Sequence, residues 1–168
     1  YKVKFPGSSH KEYLNVAAYA ALKEDGSVVT WGLSHSGGDS SSVREDLSSD
    51  VRQVYSTRFA FAALKSDGSV ITWGRDHETD AAGYGGGNSK QVASELNSNV
   101  IGISSTEYAF AAIKDDGSVI TWGNPIYGGD SQSVSKSLKS GVKQIFSHQK
   151  GFAALKDDGS VVTWGAHS

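Results

Sequence analysis

Few side chains in this sequence are of types and spacings that could do chemistry. His77, Glu78 and Asp80 form one close set of metal-ligating types. The five histidines, at 10, 35, 77, 148 and 167, fall at unrelated places in the repeat described next, whereas a metal site built by a repeat reuses one column. Asp-Asp-Gly at 115–117 and 157–159 offers two carboxylates each, short of the roughly six to eight oxygens of a calcium site. Serines are many, yet no nucleophile elbow, P-loop or dinucleotide fingerprint is present. No catalytic residue, metal or cofactor is therefore expected, and the chain reads as a non-enzyme. The four tryptophans, Trp31, Trp73, Trp122 and Trp164, could stack sugars or bases, or they could pack a core.

Their spacing decides how to read them. It is 42, 49 and 42 residues, a period that signals a propeller, solenoid or array. Each tryptophan ends a nearly constant phrase: "AYAALKEDGSVVTWG", "AFAALKSDGSVITWG", "AFAAIKDDGSVITWG" and "GFAALKDDGSVVTWG". The copies run approximately over 1–32, 33–74, 75–123 and 124–165, within one repeat domain of 168 residues. The longer middle spacing holds an insertion that includes "GYGGG", a loop signal.

The second copy can be read strand by strand. "VRQVYST" (51–57) is β-branched and aromatic, "FAFAALK" (59–65) follows, and "SVITWG" (69–74) closes the unit. Asp67-Gly68 between the last two is a hairpin signal, and a two-residue type I′ loop would set Leu64 opposite Ile71 and Ala62 opposite Trp73. That register gives one wholly apolar face, with Ala60, Ala62, Leu64, Ile71 and Trp73. A three-residue loop would pair Leu64 with Val70 and bring Thr72 onto the apolar face, so the two-residue reading is preferred. All four tryptophans should then be buried. The alanines should let a neighbouring sheet approach closely.

Between copies, residues 39–50 should form a short helix. Asp39 suits its N-cap, as Asn88 and Asp130 do in the next copies. Val43 and Leu47, Val92 and Leu96, and Val134 and Leu138 give an i, i+4 apolar stripe. Asp50, Asn99 and Gly141 follow in a column of types that tolerate a left-handed backbone. The expected fold is thus mainly β: a tandem repeat of propeller-like blades, about three strands each, with a short helix between copies. A closed ring would need residues 1–5 ("YKVKF", alternating like an edge strand) to pack beside the last copy, or a partner to fill the vacant edge.

The pattern V-x-x-V/I, a small spacer, then A-L-K-x-D-G-S-V-x-T-W-G resembles the repeat of the regulator of chromosome condensation family. It is fullest over 51–74 and extends over most of the chain. The resemblance implies a β-propeller, usually of seven blades, used as a binding platform. The family's members include a nucleotide-exchange factor for a small GTPase and a secreted inhibitor of β-lactamase. Two departures stand out: four copies are fewer than seven, and the family's Gly-Gln-Leu-Gly after Trp-Gly is replaced by Gly-Gly-Asp-Ser at 37–40 and 128–131.

The loop after Trp-Gly varies while the hairpin stays nearly constant, so contact residues are sought there. Leu33, His35, Tyr84, Pro125, Ile126 and Tyr127 are the candidates, being mostly apolar or aromatic in loops that should be exposed. A protein partner or self-assembly is expected, with a carbohydrate or small ligand as the alternative, or an exchange-factor-like or inhibitor-like role. A formal net charge of −2 without a basic tract argues against nucleic acid. No apolar run is long enough to insert in a membrane as a helix.

Overall fold

The computed structural model describes residues 13–76 and 85–166. Among the described residues eleven strands form four antiparallel sheets. β1 (Ala18–Leu22) pairs with β2 (Val28–Gly32). Each later copy has three strands: β3 (Val51–Ser56), β4 (Ala60–Lys65) and β5 (Val70–Gly74); β6 (Val100–Ser105), β7 (Ala109–Lys114) and β8 (Val119–Gly123); β9 (Val142–His148), β10 (Gly151–Lys156) and β11 (Val161–Gly165). The strands of the second copy fall where the alternation and β-branched content place them. Residues 1–5 lie outside the described residues.

The hairpin register differs from the expected one. Leu64 pairs with Val70, Ala62 with Thr72 and Phe61 with Trp73, which is the three-residue loop Ser66-Asp67-Gly68. Gly68 has φ 80° while Asp67 keeps a negative φ, so the turn is a type I turn closed by a left-handed glycine and not a type I′ turn. Asp67 Oδ1 accepts from the Ser69 N–H at 2.9 Å and from Ser69 Oγ at 2.6 Å, and the same bonds recur at Asp25, Asp116 and Asp158. A single apolar face does not set the register, because the inner sheets bury both faces. Every residue of Ala60–Leu64 is buried, so a clean polar-apolar alternation is not required.

Each face packs on a different neighbour. Ala18 and Val28 of the first copy meet Leu47, Val51, Phe61, Ala63 and Trp73 of the second. Ala60, Ala62, Leu64 and Val70 meet Leu96, Val100, Ile103, Phe110 and Trp122 of the third. Ala109, Ala111, Ile113 and Val119 meet Val142, Ile145, Phe152 and Trp164 of the fourth. The alanines do admit the neighbouring sheet, being fully buried against it. Within each copy Trp stacks on the cross-strand aromatic, as Trp73 does on Phe61 at 5.3 Å between centroids. Its indole N–H donates to a carbonyl 36 residues earlier: Gly37, Gly86 or Gly128, at 3.1 Å.

The first tryptophan is the exception to the expected burial. Trp31 is 50% exposed, against 3%, 4% and 5% for Trp73, Trp122 and Trp164. It stacks on Tyr19 at 5.4 Å, but among the described residues no preceding sheet covers the pair.

The expected helix between copies is not present as such. Ser41–Val43, Lys90–Val92 and Gln132–Val134 are single 3-10 turns continued by hydrogen-bonded turns, since about one and a half turns cannot repay helix nucleation. The chemistry read from the sequence still operates. Asp39, Asn88 and Asp130 accept from the N–H groups of Ser41, Lys90 and Gln132. Leu47, Leu96 and Leu138 are buried, and Asp50, Asn99 and Gly141 have φ of 62°, 65° and 71°. Copies are also tied backbone to backbone, with the N–H of Val51, Val100 and Val142 donating to Gly26, Gly68 and Gly117.

Candidate protein-interaction face

Ala60 and Gly74 are register partners. The turn leading into β4 and the loop leaving β5 therefore share one end of the sheet, opposite the Asp-Gly turns. Backbone bonds fix that end in every copy: the N–H groups of Leu33, Arg75, Asn124 and Ala166 donate to Ala17, Phe59, Tyr108 and Lys150 at 2.8–2.9 Å. One polar side chain then fastens each described loop. Thr57 Oγ1 donates to the Gly85 carbonyl and Thr106 Oγ1 to the Tyr127 carbonyl, and Asn15 Nδ2 donates to the Ser36 carbonyl. Thr57 and Thr106 are fully buried and Asn15 is partly so.

Neighbouring copies are stitched at the same end. The Val16 N–H donates to the Arg58 carbonyl, the Arg58 N–H to Glu107 and the Glu107 N–H to Gln149, at 2.9–3.1 Å. The side chains follow: Arg58 Nη1 reaches Glu107 Oε1 at 2.6 Å, and Gln149 Nε2 donates to Glu107 Oε2 at 3.0 Å. Burial opposes ionisation of Glu107, but hydrogen bonds from Arg58, Gln149 and Tyr108 outweigh it and hold the carboxyl below its ordinary range.

Next to this ladder lies a continuous aromatic and basic patch. The Arg75 guanidinium sits 4.2 Å from the Phe59 ring centroid. Phe59 stacks with Tyr108 at 6.1 Å, and Tyr108 meets Tyr127 edge-on at 4.7 Å. All four are partly exposed. Burial raises the Tyr108 hydroxyl above its ordinary value and the Glu107 charge adds to it, so the phenol is a neutral donor throughout the physiological range. Aromatic and arginine side chains on a rigid support are the residue types that concentrate binding energy at protein contacts.

The candidate residues divide accordingly. Pro125 and Ile126 are exposed on a 3-10 turn (Pro125–Tyr127) that the Asn124 side chain caps by accepting from the Ile126 N–H. Tyr127 joins the patch through Tyr108 while backing the core of the last two copies. Leu33 and His35 are exposed on the loop after the first hairpin. Tyr84 lies outside the described residues, as do His77, Glu78 and Asp80. Reading the loops alone missed Phe59, Arg75 and Tyr108. Their signal was available: the column Ala17, Phe59, Tyr108, Lys150 varies beside a nearly constant strand. Burial removes Trp73, Trp122 and Trp164 as stacking platforms. Among the described residues no three acidic or histidine side chains gather to hold a metal.

No family model and no curated protein matches the chain. Solved structures do. Yeast RCC1 (Prp20) bound to Kap60 superposes with a TM-score of 0.61 at 21% identity, over 91% of this chain and 42% of that one. Prp20p from Saccharomyces cerevisiae, solved with a study of its binding to Gsp1p and histones, gives 0.60 at 21% identity over 91% and 43%. Human WBSCR16 gives 0.55 at 21% identity over 90% and 45%. The chain spans less than half the length of each. Strand order, paired copies and these superpositions agree: the chain has the propeller-repeat fold of RCC1-like proteins.

Proposed function

We propose that this chain is a non-catalytic protein-interaction module and that its contact surface is the loop face shared by the second, third and fourth copies. The observation that carries the reading is the patch of Arg75, Phe59, Tyr108 and Tyr127, flanked by exposed Ile126 and held on sheet ends by buried threonines. A rigid platform loses little side-chain freedom on binding, so more of its contact energy appears as affinity. Two of the superposing proteins support a protein partner: one was solved bound to Kap60 and the other was studied for binding to Gsp1p and histones.

The test is capture of a partner by the intact chain, compared with capture by a Phe59→Ser, Ile126→Asp double variant. Both positions lie outside the cores between copies, so the variant should melt with the parent. The expected result is a partner that cross-links near Arg75 and Tyr127 and is lost at least tenfold from the variant. A partner retained equally by both chains would move the contact surface elsewhere.

A further inference from the structure

Every copy closes its hairpin on Asp-Gly-Ser: Asp25-Gly26-Ser27, Asp67-Gly68-Ser69, Asp116-Gly117-Ser118 and Asp158-Gly159-Ser160. The turn requires the glycine, whose φ lies between 77° and 84° in all four. Asp-Gly also carries a chemical hazard. The backbone nitrogen after an aspartate can attack the side-chain carboxyl carbon, and glycine, having no Cβ, hinders that attack least. The new N–C bond forms as the carboxyl hydroxyl and the N–H proton leave as water, which gives a cyclic imide. Water then opens the ring at either carbonyl. One product is aspartate again. The other is isoaspartate, of equal mass but with the main chain running through the side-chain carbons.

The damage would reach beyond the turn. An extra main-chain carbon at Asp67 would spoil the bonds that close the hairpin, where the Lys65 N–H donates to the Ser69 carbonyl at 2.9 Å and the Gly68 N–H to the Lys65 carbonyl at 3.0 Å. It would also displace the Gly68 carbonyl, which accepts from the Val100 N–H of the next copy at 3.0 Å. Gly26 and Gly117 tie their copies to Val51 and Val142 in the same way. All four aspartates are exposed, so water reaches them.

In the folded turn the reacting groups are occupied. The glycine nitrogen must give up its proton to become a nucleophile, yet in each copy that N–H is bonded to a lysine carbonyl at 3.0 Å. The carboxyl must be protonated for its hydroxyl to leave as water. In each copy Oδ1 instead accepts from the serine N–H at 2.9 Å and from the serine Oγ at 2.6 Å. Such bonds favour the ionised, unreactive carboxylate. The hydroxyl first and the N–H second hold all four carboxyls below their ordinary value. The residue before the aspartate varies, as Glu24, Ser66, Asp115 and Asp157, while the serine is the same in every copy.

We propose that the serine of each Asp-Gly-Ser turn guards its aspartate against isoaspartate formation, and that the four Asp-Gly pairs are the sites where isoaspartate forms when a turn opens. These turns lie at the end of the sheets opposite the loop face, so the proposal stands apart from the loop-face reading and holds whatever the chain binds.

The test is to hold the chain at neutral pH below its melting range, digest it, and read isoaspartate at each site by fragmentation mass spectrometry that distinguishes the two linkages. The same chain held unfolded in guanidinium chloride gives the unguarded rate. Each folded turn should react roughly tenfold more slowly or better, because reaction then waits on local opening. Equal rates would overturn the proposal. Ser69→Ala removes one donor and should raise the rate at Asp67 roughly 2–10-fold, with the other three turns of the same molecule unchanged as internal references. Ser69→Thr keeps a hydroxyl and should stay near the parent rate. An unchanged rate at Asp67 in Ser69→Ala would overturn the part given to the serine. So would a threonine variant as fast as the alanine one, or a rise shared equally by all four turns, which marks loosening of the whole chain.

Discussion

The first and second hairpins differ at three of fifteen positions: Tyr19 for Phe61, Glu24 for Ser66 and Val29 for Ile71. Their strands pair in the same register, their turns carry the same aspartate bonds, and both stack an aromatic on tryptophan. Yet Trp31 is half exposed and Trp73 is 3% exposed. The local fold is written in the hairpin, while burial is conferred by the neighbour. In a repeat architecture each unit is stabilised by its own pairing plus an interface term with the next, and these two hairpins separate the terms.

The largest consequence concerns the tryptophans. Trp73→Ala opens a cavity between two copies and should cost about 3–5 kcal/mol. Trp31→Ala loses mainly its stack on Tyr19 and should cost about 1 kcal/mol. Denaturant titration of the two variants checks the gap, and equal losses would erase the distinction between the hairpins.

Turn glycines sharpen the same comparison at the other end of the array. Gly68 and Gly159 have nearly equal φ, 80° and 84°, so alanine at either pays about 1–2 kcal/mol for a left-handed backbone. A Cβ at Gly68 would also lie 2.6 Å from the Asn99 nitrogen, whereas one at Gly159 meets nothing within 4 Å. Gly68→Ala should therefore cost roughly 1–3 kcal/mol more than Gly159→Ala, since backbone has to shift. Equal melting temperatures would mean that the copies are not stitched through their turns.

The smallest effect should be the same everywhere. The turn aspartates are bonded within their own loops, so an end copy and an inner copy should respond alike to acid. Hydrogen bonds from the side chain and then the backbone of Ser27 lower Asp25 to about 2 from its ordinary 3.8, and the corresponding serines lower Asp67, Asp116 and Asp158. A carboxyl that is more acidic folded than unfolded contributes its full stability above the unfolded value and loses it as pH falls through the folded one. Stability should thus decline from about pH 4 toward pH 2. Asp67→Asn and Asp158→Asn should flatten that decline by equal amounts in thermal melts. A steeper loss at Asp67 would tie its charge to the neighbouring copy.

Much of the blade was legible in the sequence because its signals are local. Strand positions follow from alternation and β-branched content, and the left-handed column at Asp50, Asn99 and Gly141 follows from residue type. What could not be read depends on distant chain. The register turned on whether one face or both are buried, and Ala60 to Leu64 read alone do not say. The segment at 41–47 has helical spacing, but its length leaves it as turns pinned by Leu47. Trp31 and Trp73 share a phrase, so their difference had no local mark. In the loop face, Ile126 and Tyr127 are candidates by their own chemistry. Arg75 and Phe59 become a patch only when the pairing of Ala60 with Gly74 brings their segments together.

The central claim is that this arc of blades leaves its first tryptophan uncovered while the other three are enclosed. Incorporation of fluorotryptophan gives four fluorine resonances without disturbing a buried site, and Trp31→Phe assigns the first. One resonance should shift between light and heavy water, and it should be the one missing from Trp31→Phe. Four resonances equally insensitive to solvent, or a responsive one that survives in Trp31→Phe, would contradict the account.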